Sequence, residues 1–340
     1  MSKQNVSVVG WIFILLAVII VCVAVLSVFH LKKDAYAGYV YGGYDKIARI
    51  EPDSPAEHAG MKVGDAIKTI DGIEPGDTKS SIRRPSPKIG ETRTFVVERD
   101  GEQISLDITY SVLPQQEFAS RLITSYITGI CFLVCGLLVY FKIQSRVTTL
   151  FAVIGLGFGF GSLNHITIDA YPLSILYGLF NITGTLLFIT ILLHFVLLFP
   201  KPKSIIQKKH IAKILYIPAL IVILFFLYLL IVQPEFTKTI NLIFQGLVVA
   251  FFILIFLLII IVLIHSFVKS SNKERREAGL NIMLAGTLIA IVPMIFGIIL
   301  QLINPSATFP GEDYMGLLMV FIPLSWAWAV LKKEGKAQAV

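Results

Sequence analysis

Few residues in this chain of 340 residues have the types and the spacing that hydrolytic or metal chemistry requires. A membrane zinc protease uses two histidines one helical turn apart with a glutamate between them, but Glu57-His58 has no second histidine at that distance. The serine-hydrolase motif G-x-S-x-G is absent, and Asp169 and Asp313 lie in expected loops instead of within the membrane. We therefore expect no enzymatic activity, no catalytic residue, no metal site and no cofactor.

Polar side chains near or within apolar segments are the second group of candidates, because placing them in lipid is costly. Asn241 and Gln245 share one face of an expected helix, and Asn164 and His165 end another helix near its outer face. The functional interpretation is an outward-opening ligand pocket lined by Asn164, His165, Asp169, Asn241, Gln245 and Gln301. The alternative is that each of these residues only makes hydrogen bonds between helices.

Four glycines alternate along one apolar segment, at positions 155, 157, 159 and 161. The pairs 155/159 and 157/161 each follow the small-xxx-small pattern, and successive pairs lie about 200° apart around a helix. We expect two opposite faces of this helix to approach neighbouring helices closely. The spacing does not fit a dinucleotide-binding fingerprint, and no strand precedes it.

The composition indicates what must position these residues. Hydrophobic residues make up 56% of the chain and charged residues 15%, and the mean hydropathy is +0.79. Soluble domains are about 25% charged, so we exclude a soluble enzyme, a disordered chain and a nucleic-acid binder despite the net charge of +7. Runs of about 18 or more apolar residues are typical of membrane-spanning helices. Eight such runs lie near 10–30, 119–141, 148–168, 173–199, 212–233, 240–266, 279–302 and 314–331.

The lysines and arginines predict the orientation in the membrane. Outside the segment 34–117, one topology places 15 of the 19 Lys and Arg residues on the cytoplasmic side. Lys32 and Lys33, at the outer end of the first helix, oppose this arrangement, but the later loops outweigh them. We expect a multi-pass protein of a bacterial cytoplasmic membrane, with both termini cytoplasmic and residues 34–117 outside the cytoplasm.

Residues 34–117 differ in character from the rest of the chain. They contain 10 basic and 15 acidic residues, and short alternating segments replace the long apolar runs. We expect a short helix after Ser54, with Ser54 and Glu57 forming a capping box and Gly60 ending the helix. Strands are expected at 45–50, 66–70, 92–99 and 103–110.

The sequence YGGYDKIARIEPDSPAEHAGMKVGDAIKTIDG, residues 41–72, resembles a bacterial PDZ domain, chiefly through its segment 54–60 and Gly64-Asp65. The resemblance implies that a peptide adds to the edge strand 45–50, with its terminal carboxylate held by the loop 41–44. The implied peptide-binding residues are Tyr41, Gly42, Gly43, Tyr44, Asp45, Lys46 and Ile47. A helix near 78–84 would form the other wall of the groove, but Pro85 and Pro87 follow it. A PDZ fold that binds no peptide and only spaces or dimerises the protein is the alternative.

Three apolar stretches carry a second resemblance, namely LLHFVLLFPKP at 192–202, KERREAGLNIMLAGTLIAIVP at 273–293 and VFIPLSWAWAVLKK at 320–333. They resemble the membrane sensor region of PDZ-carrying, ComP-type sensor histidine kinases, without the kinase. The order of one helix, an exported PDZ domain and seven helices also fits that family. The expected domains are an N-terminal transmembrane helix (1–33), an extracytoplasmic PDZ-like domain (34–117), a seven-helix sensor-like domain (118–331) and a cytoplasmic tail (332–340).

The expected fold class is an α-helical integral membrane protein with eight spanning helices and a small extracytoplasmic α+β PDZ-like domain. The predicted function is signal reception, in which the PDZ-like domain and the outer helix ends sense a peptide or small apolar ligand and relay it to a cytoplasmic partner. The alternative is a membrane-anchored adaptor that recruits exported protein C-termini to a protease or envelope complex. Transport through the bundle is a third hypothesis, which the lack of an acid within the spans disfavours. The expected partners are a peptide or protein C-terminus, membrane lipid, and a separate kinase or a second copy of the chain, but no nucleic acid.

Overall fold

The computed structural model describes most of the chain. The described residues are 7–42, 46–74, 85–168, 170, 173–208, 210–232, 238–304, 307, 309 and 311–338.

Within this described part, eight helices are long and apolar enough to cross a membrane, in agreement with the eight apolar runs of the sequence. Large apolar side chains such as Trp11, Leu16 and Phe29 are exposed on the first of these helices, as expected for residues that face lipid. The chain is therefore a multi-pass membrane protein. The candidate spans are Val8–Leu31, Gln115–Lys142, Arg146–Leu163, Leu173–Leu198, Ile211–Leu229, Ile243–Lys269, Leu280–Ile303 and Glu312–Gly335.

The described strands all lie in the first third of the chain, and the described elements that follow them are helices. The helices are α1 Val8–Leu31, α2 Pro55–His58, α3 Gln115–Lys142, α4 Arg146–Leu163, α5 Leu173–Leu198, α6 Ser204–Gln207, α7 Ile211–Ile214, α8 Ile217–Val232, α9 Lys238–Lys269, α10 Asn272–Glu277, α11 Leu280–Ile303, a 3-10 helix Glu312–Val320 and α12 Phe321–Gln338. The strands are β1 Ala35–Tyr36, β2 Tyr39–Tyr41, β3 Ile47–Ile50, β4 Ala66–Ile70, β5 Thr92–Arg99, β6 Glu102–Thr109 and β7 Ser111–Val112.

The two ends of the helical bundle differ in what they carry. All described strands lie between α1 and α3, so they sit at one end, which we call the β end. Successive long helices return across the bundle, which places the segments that follow α3, α5 and α9 at the opposite end. We call this opposite end, with residues 143–145, 199–210, 270–279 and the C-terminal turns of α12, the basic end because lysines and arginines are concentrated there.

Glycines allow the closest approaches between helices. A Cβ on Gly155 of α4 would lie 2.5 Å from the carbonyl oxygen of Phe132 on α3. Gly157 faces the other way, and a Cβ there would lie 2.2 Å from the ring of Phe188 on α5. The two opposite close-packed faces that the glycine spacing predicts are thus present, although Gly161 has no described neighbour within 4 Å of such a Cβ.

The core of the bundle includes Trp326 of α12, which is fully buried. Its ring stacks on Phe195 of α5 at a centroid distance of 5.0 Å. Its indole N–H donates to Thr287 Oγ1 of α11 over 2.8 Å. Because a buried indole N–H without an acceptor is costly, this bond helps to fix α11 against α12.

The strands form three small antiparallel sheets around a core of their own, and we call residues 35–112 the β domain. β1 pairs with β7, β2 with β3, and β4, β5 and β6 form a three-stranded sheet. Asp100 and Gly101 both have positive φ in the turn between β5 and β6, as expected for a tight hairpin. Because β1 follows α1 and β7 precedes α3, their pairing joins the two connections between the β domain and the bundle.

The start of α2 differs from the expected capping box. Ser54 Oγ accepts the N–H of Glu57 at 3.3 Å, as expected, but the Glu57 carboxylate accepts the N–H of Asp53 at 2.7 Å instead of that of Ser54. The chain enters α2 through Asp53 with a φ of 57°, and this left-handed turn brings the earlier N–H within reach. Gly60 follows α2 with a φ of +82°, as its position predicts.

A buried ion pair fixes the chain between α2 and β4. Asp65 is 1% exposed, and its two carboxylate oxygens accept hydrogen bonds from Arg99 at 2.8 Å each. The N–H of Lys62 donates to the same carboxylate at 2.8 Å. Burial by itself would raise the pKa of Asp65, but these hydrogen bonds outweigh it and hold the pKa below the ordinary 3.8.

Candidate functional site

The loop and strand expected to hold a peptide are only partly described. Gly43, Tyr44 and Asp45 lie outside the described residues. The N–H of Gly42 donates to the carbonyl oxygen of Lys46 at 2.8 Å, which closes the connection between β2 and β3. The N–H of Ile47 donates to the Asp65 carbonyl at 2.9 Å, and its carbonyl accepts the N–H of Gly64 at 2.8 Å. At Ile47, β3 is therefore paired on both sides, whereas the sequence suggested an edge strand. The sequence pattern did not reveal this because Gly64 and Asp65 come from a later part of the chain.

β2 is a strand with an open edge beside the expected peptide-binding region. Among the described strands it pairs with β3 alone. The carbonyl of Gly38 accepts the N–H of Glu51 at 2.8 Å, and the N–H of Gly42 also faces β3. Successive residues of a strand direct their backbone groups to opposite sides, so the N–H and C=O of Tyr39, the residue after Gly38, point away from β3. The neighbouring Val40 side chain is 39% exposed. β2 thus offers an edge that a further strand can join.

Aromatic rings hold β2 against the rest of the β domain. The ring of Tyr39 packs edge-on against Phe95 of β5 at a centroid distance of 5.8 Å and against Tyr41 at 5.3 Å. Burial, together with the neighbouring phenols of Tyr41 and Tyr110, raises the pKa of Tyr39, so its hydroxyl stays neutral. The helix expected near 78–84, as the other wall of a groove, lies outside the described residues.

Gly38 fixes the start of β2. Its φ is +79°, and a Cβ there would lie 2.2 Å from the Cβ of Ser54 and 2.9 Å from the Tyr36 hydroxyl. Ser54 Oγ also donates to the Gly38 carbonyl over 3.3 Å. Only glycine fits this turn, and it ties the beginning of β2 to the beginning of α2.

A polar contact joins the β domain to the bundle. Arg49 of β3 lies 2.8 Å from Glu51 Oε1 and 3.6 Å from Oε1 of Glu312, the first residue of the 3-10 helix. Gln301, near the end of α11, donates to the same Glu312 oxygen over 2.8 Å. The other oxygen of Glu312 is buried and has no hydrogen-bond partner among the described residues. Arg49 is on the strand paired with β2, so this contact connects the open edge with the end of the bundle.

A second polar group lies beside α1. The Asn164 side chain contacts the Tyr177 hydroxyl, and the backbone N–H of His165 donates to Ser27 Oγ over 2.9 Å. Burial is the main cause that raises the pKa of Asp34 nearby and lowers the pKa of His165. Both shifts favour the neutral forms, and the Nε2 atom of His165 is buried without a hydrogen-bond partner among the described residues.

The described members of the expected ligand pocket have their contacts in different parts of the bundle. Asn164 and His165 lie beside α1, whereas Gln301 lies at the 3-10 helix and Gln245 lies on an exposed part of α9. Asp169 lies outside the described residues, and for Asn241 only the backbone position in α9 is described.

An apolar cavity that was not predicted from the sequence lies between α1, α4 and α5. Its volume is about 410 Å³, and small residues on both walls, such as Gly161 and Gly184, leave the space. The Asn181 side chain donates to the Tyr177 carbonyl at 3.0 Å, and the Thr185 hydroxyl donates to the Asn181 carbonyl at 2.8 Å. These polar groups are satisfied within α5, so the cavity offers an apolar surface. Small residues on two neighbouring helices were the sequence signal for it.

Two comparisons with known proteins bear on the chain. It matches no protein-family model. It is similar to a protein of Mesorhizobium japonicum named "Putative zinc metalloprotease", with 29% identity over 105 residues. The similarity covers 31% of this chain and 28% of the relative's length. No three His, Cys, Asp or Glu side chains of the described residues converge on a possible metal position.

Proposed function

We propose that this protein is a membrane receptor for an extended polypeptide, with the β domain as a PDZ-like module. The polypeptide joins the outer edge of β2 as an added strand. Its binding is transmitted to the bundle through the 3-10 helix. The contact between Arg49 and Glu312 carries this proposal, because it connects the strand beside the binding edge with the bundle.

The geometry of β2 supports capture by strand addition. The outward backbone N–H and C=O of Tyr39 are the groups that such a strand pairs with. A segment that runs antiparallel to β2 has its C-terminus at Gly38, so the turn at Gly38 replaces the loop 41–44 as our candidate for the carboxylate end. Ser54 and Asp65, which belong to the PDZ-like signature, are both buried and hydrogen-bonded in positions that shape this turn and β3.

The distribution of charge supports an orientation with the β domain outside the cytoplasm. Lysines and arginines are concentrated at the basic end, and the positive-inside rule assigns that end to the cytoplasm. The bound polypeptide is then an exported one, and the basic end is where a cytoplasmic partner contacts the protein.

Hydrogen exchange on the full chain in nanodiscs tests the capture step. A library of peptides with free C-terminal carboxylates is screened, and binders are compared with their C-terminally amidated forms. Binding at β2 slows exchange of the Tyr39 amide, which points outward, and leaves the Val40 amide unchanged because it already faces β3. A library without binders, or binders that protect only other segments, contradicts the proposal.

The relay step needs a separate measurement with a matched pair of variants. Arg49→Gln removes the cation that faces Glu312, whereas Lys68→Gln removes a cation from the exposed Lys68–Glu98 pair of the same domain, whose ammonium and carboxylate lie 2.9 Å apart. Peptide binding is expected to change exchange in the 3-10 helix in the wild type and in Lys68→Gln but not in Arg49→Gln. An identical response in all three proteins means that peptide binding is not transmitted to the bundle through the contact between Arg49 and Glu312.

The second candidate function is a membrane-anchored adaptor that presents exported C-termini to a protease or envelope complex. The similarity of 105 residues to a protein named as a metalloprotease favours this candidate. An adaptor captures peptides at β2 without a response in the 3-10 helix. An adaptor also retains its function when an unrelated membrane anchor replaces the bundle, whereas a receptor loses its function.

A further inference from the structure

A large cavity opens at the basic end of the bundle, far from the β domain. It has a volume of about 710 Å³ and lies between the loop that follows α5, the last turns of α9 and α10. Leu197, Ile261 and Val262 form an apolar part of its wall. The charged and ionisable residues of its wall are Lys201, Lys203, His265, Lys269, Glu274, Glu277 and Lys333.

The charges of this cavity do not balance. Lys201 pairs with Glu274, which leaves Glu277 against three further lysines. Among the ion pairs of the described residues, none involves Lys203, Lys269 or Lys333. A surplus of unpaired cations within one cavity favours an anionic occupant.

Burial makes this surplus costly. Lys203 and Lys333 are half-buried, so water hydrates their ammonium groups only in part. Burial lowers the pKa of Lys203, and the positive charge of Lys269 lowers it further, which indicates that the two ammonium groups repel each other across the cavity. An anion between them would relieve both costs.

We propose that this cavity binds a phosphate group, carried either by the headgroup of an anionic phospholipid or by a soluble phosphate compound. Lysine ammonium groups are point donors that suit phosphate oxygens. The position supports the lipid source, because α5 and α9 end here and basic pockets between helices at a membrane boundary bind such headgroups. The apolar part of the wall lies next to the charged part, so a headgroup and the start of its chains both find matching surfaces.

The test compares two double variants of the full chain that lose the same charge. Lys203→Gln with Lys269→Gln removes two cations from the cavity, and Lys208→Gln with Lys213→Gln removes two exposed cations from the same end but outside it. One arm titrates phosphatidylglycerol into the protein in neutral detergent and counts retained lipids by native mass spectrometry. The other arm titrates inorganic phosphate and glycerol 3-phosphate onto protein in phosphatidylcholine nanodiscs, read by thermal shift.

We expect the cavity variant to weaken phosphatidylglycerol binding about tenfold or more, and the control variant to weaken it about twofold or less. Binding in the lipid arm alone assigns a phospholipid, and binding in the soluble arm, lost in the cavity variant only, assigns a soluble phosphate compound. If the two variants lose binding equally, the general surface charge accounts for the binding, and the proposal is overturned. Absence of binding in both arms also overturns it, and elution of each variant as a single monodisperse species confirms that the comparison is between folded proteins.

Discussion

Replacement of Gly38 by alanine is expected to unfold the β domain locally. The φ of +79° costs an alanine about 1 kcal/mol after the loss of chain entropy in the unfolded state is taken into account. The new Cβ would lie 2.2 Å from the Cβ of Ser54, so Ser54 must move, which breaks its cap on α2 and costs about 1 kcal/mol. Overpacking against a buried neighbour adds about 1–3 kcal/mol, so we expect a loss of about 3–5 kcal/mol in the stability of the domain.

Gly64→Ala is the matched control in the same domain. Gly64 also has a positive φ, +94°, but no described atom lies within 4 Å of a Cβ built there. Only the conformational cost of about 1 kcal/mol remains. The difference between the two variants therefore isolates the contact with Ser54.

Amide hydrogen exchange of the full chain in nanodiscs measures this difference. The amides of Phe95 and Val97, whose side chains are fully buried in β5, report opening of the β domain. Since about 1.4 kcal/mol corresponds to a factor of ten, Gly38→Ala should accelerate their exchange about a hundredfold or more, and Gly64→Ala about fivefold. Equal acceleration in the two variants would refute the conclusion that Gly38 is held by its contact with Ser54.

Three further predictions concern the β domain and the bundle. Because the pKa of Asp65 is depressed in the folded state, its contribution to stability is present at neutral pH and is lost as the pH falls below 3.8. Hydrogen exchange measured between pH 7 and 3 should show this loss of stability, and Asp65→Asn should remove this pH dependence. Gly155→Ala should destabilise the bundle by about 1–3 kcal/mol in detergent unfolding while Gly161→Ala has little effect, and equal effects would contradict the packing of α3 on α4. Thr287→Val should cost about 1 kcal/mol and shift the fluorescence of Trp326, whereas Thr287→Ser, which keeps the acceptor but loses a buried methyl group, should leave the fluorescence unchanged.

Local chemistry made several elements predictable from the sequence. The hairpin strand expected at 92–99 is β5 with the same bounds, because alternating side chains and Asp100-Gly101 specify a strand and a turn without help from distant residues. The helix after Ser54 also forms as expected, since its cap and the glycine after it act within a few residues. The capping box differs from the expected one because, with Asp53 at a positive φ, the N–H of Asp53 and not that of Ser54 reaches the Glu57 carboxylate.

The candidate site was predictable only in part. The sequence predicted an edge strand at 45–50, but Ile47 of β3 pairs with Gly64 and Asp65, which a local pattern does not reveal, so our candidate edge is that of β2. Gln301 was recognised as a polar residue at a helix end, but its partner Glu312 comes from the next element. Asn164 and His165 likewise find their partners on other helices.

The sequence by itself determined the eight apolar helices, the separate β domain after the first of them, and the turns at glycines with positive φ. These features depend on hydrophobicity summed over a helix length and on backbone preferences of single residues, and both are properties of short segments. Only the tertiary structure decided that β2 keeps an open edge while β3 is paired on both sides at Ile47, which polar side chains meet, and where the apolar cavity and the cavity at the basic end lie. Those features depend on packing between residues far apart in the chain, because a side chain finds its partner only when the helices and strands that carry both are already in place.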